Sequence, residues 1–85
     1  MIVSAHVVAV GPRASNAVWR SVKARQVLAS LQRIGWTVKR SAGSHRVLAQ
    51  PGWPNVVFAF HDREEIGPKM LARIARSTGL TPGDL

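Results

Sequence analysis

Cysteine and tyrosine are absent from this 85-residue chain, and acidic residues are scarce, four against twelve lysines and arginines. Without cysteine, no disulfide framework and no thiolate zinc site can staple a small domain, so stability must come from a thin apolar core. The same absence fits a reducing, cytoplasmic setting. Long apolar runs are missing too. Met1 to Val10 is interrupted by Ser4 and His6, is too short to span a bilayer, and lacks the basic leader of a secretory signal. Neither secretion nor membrane insertion is expected. A glycine-rich phosphate loop is also lacking, because the seven glycines are scattered as turn and cap residues.

What is present is positive charge. The formal net charge is +8, and no acidic residue occurs from Met1 through His61. The acids are Asp62, Glu64 and Glu65, with Asp84 alone near the end. A surface with so little local neutralisation attracts polyanions, of which nucleic acid is the commonest inside a cell. The plainer alternatives are self-repulsion that aids solubility, or neutralisation by an acidic protein partner.

Three parts are expected: an N-terminal extension over 1–20, a domain over 21–80 and a short tail over 81–85. In the extension, Met1–Val10 has the valine content of a strand, Gly11-Pro12 breaks the chain, and Arg13 to Arg20 has no clean period. It reads as an added strand or a poorly anchored arm. From Ser21 the pattern sharpens. Ala24, Val27, Leu28, Leu31 and Ile34 share one helical face, with Ser21 as N-cap and Gly35 as left-handed stop. Trp36 to Arg40 predicts a strand, Ser41 to Ser44 a hairpin turn, and His45 to Gln50 its partner strand. Pro51-Gly52 predicts a turn, Trp53 to Asn55 a loop, and Val56 to Phe60 a third strand. A second helix is expected from Gly67-Pro68, with the preceding acids favouring its positive end. Met70, Leu71, Ile74, Ala75 and Thr78 form its apolar stripe, and Lys69, Arg73 and Arg76 a basic ridge on another face.

The expected fold class is therefore α+β. Two amphipathic helices cover one face of a three-stranded antiparallel sheet in the order α-β-β-β-α. That is the layout of double-stranded-RNA-binding domains, and it leaves the other sheet face open.

Groups able to do chemistry are few. His45 follows Gly43-Ser44 at the head of the middle strand, with Arg46 beside it and Lys39 and Arg40 across the turn. RNA cleavage needs one group to take the 2′-hydroxyl proton, one to protonate the leaving 5′-oxygen, and positive charge on the phosphorane. A histidine among cations suits such work without a cofactor. The structural alternative is a polar strand residue that only binds RNA. His61, beside Asp62, is read as capping the loop or second helix, and His6 carries no hypothesis. Nothing has recognisable metal-ligand spacing. Trp36 and Phe60 are assigned to the core. Trp53 is the aromatic expected to be exposed, facing a base or a protein partner.

Taken together, Ile34-Gly35-Trp36 between a helix and a strand, Gly43-Ser44-His45 at a hairpin, His61 after the third strand and Ile66-Gly67-Pro68 opening a helix resemble the HicA toxins. The resemblance spans about residues 22–80. It implies an mRNA interferase with a double-stranded-RNA-binding-like fold that cleaves RNA without a metal and is inhibited by a HicB antitoxin. By position, His45 matches the catalytic histidine, Gly43 and Ser44 the turn, and His61 the histidine that commonly ends the third strand. Arg46 stands where relatives often carry a second histidine, and Phe60 where proline is common. RNA contacts are expected from Lys39, Arg40, Gly43, Ser44, Arg46, Lys69, Arg73 and Arg76. His61, Lys39 or water are the candidates for the second proton transfer. The competing functions are a non-catalytic RNA-binding module and a degenerate toxin that only binds its protein partner.

Overall fold

The computed structural model describes residues 19–85. The expectations for the first eighteen residues lie outside the described part. Among the described residues the order is β1 (Val22–Lys23), α1 (Ala24–Arg33), β2 (Thr37–Ala42), β3 (His45–Gln50), β4 (Trp53–Ala59), β5 (Glu65–Ile66) and α2 (Pro68–Thr78), then a 3₁₀ turn over Pro82–Asp84. Strands β2, β3 and β4 form an antiparallel meander in that order. The two helices and this sheet give the α-β-β-β-α arrangement expected from the sequence.

The start of α1 differs from expectation. Ser21 does not cap it: the N-cap is Lys23, in extended conformation and without a side-chain cap bond. Val22–Lys23 instead pairs with Glu65–Ile66 in a two-stranded antiparallel ribbon. Two of the helix's otherwise unpartnered amides then find backbone acceptors, Ala24 N–H donating to Glu64 O (2.8 Å) and Arg25 N–H to Asp62 O (3.1 Å). The loop holding most of the acids thus meets α1 rather than only preceding α2. No acidic residue lies in the first turn of α2, where Gly67 is the N-cap and Pro68 opens the helix.

Each helix buries the stripe its spacing promised. Ala24, Val27 and Leu31 of α1 and Leu71 of α2 are fully buried, with Leu28, Ile34, Met70, Ile74 and Ala75 packed around them. The sheet contributes Leu48 and Phe58. Trp36 lies at the far end of the sheet from the β2–β3 hairpin and is 1% exposed. Its Nε1–H donates to Thr78 O at 3.1 Å, on the last turn of α2. The Gln50 carboxamide, oriented to satisfy both its groups, donates to Ile34 O at 3.0 Å and accepts from the same indole at 3.1 Å. The Trp36 indole and the Gln50 carboxamide therefore together join the C-terminal ends of both helices to the sheet.

Three further stretches depart from the sequence reading. Trp19, assigned to the extension, is 6% exposed and part of the core. Trp53, Pro54 and Asn55 belong to β4 rather than to a loop. The tail is folded: Thr81 and Asp84 form a capping box, Leu80 is buried, and Arg33 Nη2 of α1 donates to Asp84 O at 2.7 Å. No helix among the described residues is long and apolar enough to cross a membrane.

Two glycines illustrate different constraints. Gly43 has φ +61 and nothing near the position a Cβ would take. Gly35 has φ +113, and a Cβ there would overlap the Gln50 carboxamide. Gly43→Ala is expected to cost about 1–2 kcal/mol from backbone conformation alone. Gly35→Ala should cost roughly 2–4 kcal/mol, since overlap adds to strain. Denaturant midpoints of the two variants check this, and equal losses would remove Gln50 from the account.

Candidate active site

The β2–β3 connection is the two-residue loop Gly43–Ser44, tighter than the four residues expected, because the strands run to Ala42 and resume at His45. A positive φ at the first loop position is what a type II′ hairpin turn requires, and glycine supplies it at no steric cost. His45 is thereby held at the mouth of a hairpin, opposite Ala42 on one side and Ala59 on the other. It is exposed, and its imidazole makes no hydrogen bond among the described residues.

Strand alternation decides which neighbours share its face. Leu48 and Phe58 point to the helices, so His45, Val47, Val57 and Ala59 occupy the other face, which is open among the described residues. On β2 the register shifts between Val38 and Arg40, which leaves Lys39 as the extra residue of a bulge and sets Arg40 opposite Val47. Arg40 is then the diagonal neighbour of His45, at a spacing of about 7–8 Å in such sheets. A phosphate lying over His45 is within reach of that guanidinium. Without the bulge, Arg40 would face the helices.

Arg46 is placed differently. It lies opposite Phe58 and Ser41, on the side of the sheet away from His45. Its Nη2 pairs with Asp62 Oδ1 at 3.2 Å, and its Nη1 is buried without a hydrogen-bond partner. The pair ties the middle strand to the loop whose carbonyls receive the α1 amides. The sequence reading did not single out Asp62 as a partner for Arg46. Alternation offered a signal for its orientation only, since Arg46, two residues before Leu48, must share that residue's face and not that of His45.

Gly43, Ser44, Arg46, Phe60, His61 and Asp62 line an open depression of about 300 Å³ at this end of the sheet. His61 sits in the turn that follows β4. Its backbone N–H donates to Glu64 Oε1 at 3.1 Å and its carbonyl accepts from Glu64 N–H at 2.9 Å. The capping role expected of His61 is thus met by its backbone within the loop and not at α2, while its side chain is exposed. Phe60 is half-buried and packs edge-on to Phe58, with ring centroids 5.0 Å apart.

Lys69, Arg73 and Arg76 are exposed along α2, apart from the hairpin. The structure therefore brings Arg40, Gly43, Ser44 and His45 together at one end, leaves Lys39 at the bulge farther along β2, and puts the ridge on another surface. Among the described residues, Arg46 with Asp62 is the one ion pair, so these cations have no carboxylate partner. No three His, Asp or Glu side chains gather as a ligand set among those residues.

Comparison with known proteins places this arrangement. No match was found among curated proteins. A family model described as the HicA toxin of bacterial toxin–antitoxin systems matches residues 24–80, more than half of the chain. That span begins with α1 and ends just past α2, so it takes in both helices, the whole meander and the His45 hairpin. The chain belongs to the HicA family of toxins.

Proposed function

We propose that this chain is an endoribonuclease that cleaves mRNA without a metal, halting translation and growth in the cytoplasm until a HicB-type antitoxin covers it. The observation that carries the reading is the exposed His45, set by a two-residue turn at the edge of an open sheet face in a chain of this family. Arg40 is the diagonal neighbour of His45, Lys39 lies one residue farther along β2, and neither has a carboxylate partner among the described residues.

In the proposed step the RNA 2′-oxygen attacks the adjacent phosphorus. An O2′–P bond forms as the P–O5′ bond breaks, the 2′-hydroxyl loses its proton, and the departing 5′-oxygen gains one. His45 carries one of these transfers, an assistance of about 10²–10⁴-fold. Arg40 meets the charge that grows on the phosphorane, with Lys39 and the Gly43–Ser44 turn contacting the flanking backbone. Arg46 supports the site by bracing the 62–64 loop, since its guanidinium is engaged with Asp62. Lys69, Arg73 and Arg76 bind phosphates farther along the strand. The antitoxin is assigned to the open face, where Val57 is 62% exposed beside Val47 and His45, and an acidic surface on it would match the charge.

Induced expression of the parent should arrest growth and degrade mRNA. His45→Ala should do neither, while keeping its circular dichroism and its affinity for uncleavable RNA. A His45→Ala protein as toxic as the parent would remove this residue from the mechanism. A parent that binds RNA and never cleaves it would favour a plain binding module. Replacing Lys69, Arg73 and Arg76 by glutamine should weaken binding to any sequence and flatten the slope of log affinity against log salt by about 2, near 0.7 per phosphate contact on single strands. An unchanged slope would take the ridge out of the interface.

A further inference from the structure

At the opposite end from His45, Trp53 begins β4 with 41% of its surface exposed. Its indole is not free to swing. It meets Trp36 edge-on, with centroids 5.8 Å apart and planes at 62°. Its rim also lies against the end of α2, where a Cβ added at Gly79 would come 3.2 Å from the ring. Gly79 combines φ +79 with this close approach, so glycine there serves both the helix stop and the seating of Trp53. The exposed part of the ring opens onto a groove of about 570 Å³, lined by Trp53, Pro54, Asn55, Val57, Arg76 and Ser77. Arg76 is the last cation of the α2 ridge and also lines a second depression with Lys69, so the charge runs continuously to the indole.

We infer that this groove is a base-stacking subsite for single-stranded RNA, in which Trp53 takes one nucleobase and Arg76 the adjoining phosphate. A fixed aromatic surface beside unpaired cations is what sequence-tolerant strand binding uses. A protein strand adding to the β4 edge is the competing occupant, and Pro54 opposes it by offering no N–H at that edge. The inference rests on the RNA reading above and extends it along the substrate. Trp53 stands six residues before Ala59, which pairs with His45, so the subsite is displaced about 20 Å along the strand at ~3.3 Å per residue, on the helix side of the β4 edge. A base several nucleotides from the scissile phosphate is the one it takes.

The test is binding of a fluorescent 2′-O-methyl oligoribonucleotide, which cannot be cleaved, to the parent, Trp53→Phe, Trp53→Leu and Arg76→Gln. Thermal melts first establish that each variant is folded, and Trp53→Phe keeps an aromatic face if Trp53→Leu does not fold. Expected are a loss of roughly 5- to 100-fold for Trp53→Leu and a much smaller loss for Trp53→Phe. An oligonucleotide with one abasic position several nucleotides from its centre should reduce parent binding and leave Trp53→Leu unaffected. If Trp53→Leu is folded and binds as the parent does, or if Trp53→Phe loses as much as Trp53→Leu, the subsite is overturned. A parent that binds no RNA overturns it also. Cleavage by the parent is scored separately, so a failure of the nuclease reading with stacking intact is recognisable.

Discussion

The buried indole of Trp36 is the contact on which the arrangement of layers depends. A ring of that size removes a large apolar area from water, but its N–H must find an acceptor once inside. The acceptors are a carbonyl on the last turn of α2 and the carboxamide of Gln50, at the end of β3. The indole N–H thus sets where α2 finishes relative to the sheet, and the Gln50 amide, which donates to Ile34 O, sets where α1 does. The opposite end is held by weaker means: a two-residue ribbon, two backbone bonds from α1 and one partly exposed ion pair. Exposed pairs of that kind contribute little to stability. The protein is thus most firmly locked at the end remote from His45, and the hairpin carrying the histidine projects from a better-anchored base.

Much of this was legible in the chain. The helical stripes beginning at Ala24 and Met70, Gly35 as a stop, Pro68 as an opening and the Gly43–Ser44 turn all rest on local rules that survive folding. What was not legible involves short or long-range pairing. Val22–Lys23 and Glu65–Ile66 have two residues each, too few to show a period, and they meet only because the chain returns after the meander. Trp19 looked unanchored because its partners lie far along the sequence. Trp53–Asn55 looked like a loop because proline is penalised in strands, yet an edge strand tolerates it.

The candidate site was legible in composition and less so in orientation. His45 and its neighbouring cations stood out, but a linear reading groups Arg40 and Arg46 together. In three dimensions alternation turns Arg46 toward the helices, and the bulge at Lys39 turns Arg40 toward His45. A bulge cannot be read from side-chain type, because it is set by how two strands register against one another. The ionic partner of Arg46 likewise depended on where the 62–64 loop would fall. Membership of the HicA family then joins the charge, the fold and the hairpin histidine in one account.

The bulge at Lys39 has a second effect. All six residues of β2 are exposed and, among the described residues, the strand forms one margin of the sheet with its outer backbone groups unpaired. An extra residue in such a margin breaks the even spacing of those groups, and a lysine at the break repels a neighbour of the same kind. The other margin carries Pro54. Both open borders of the meander are thus poor templates for strand addition. Among the described residues, the edges of the meander therefore discourage copies of this chain from joining sheet to sheet, and its faces are the broader surfaces that it offers.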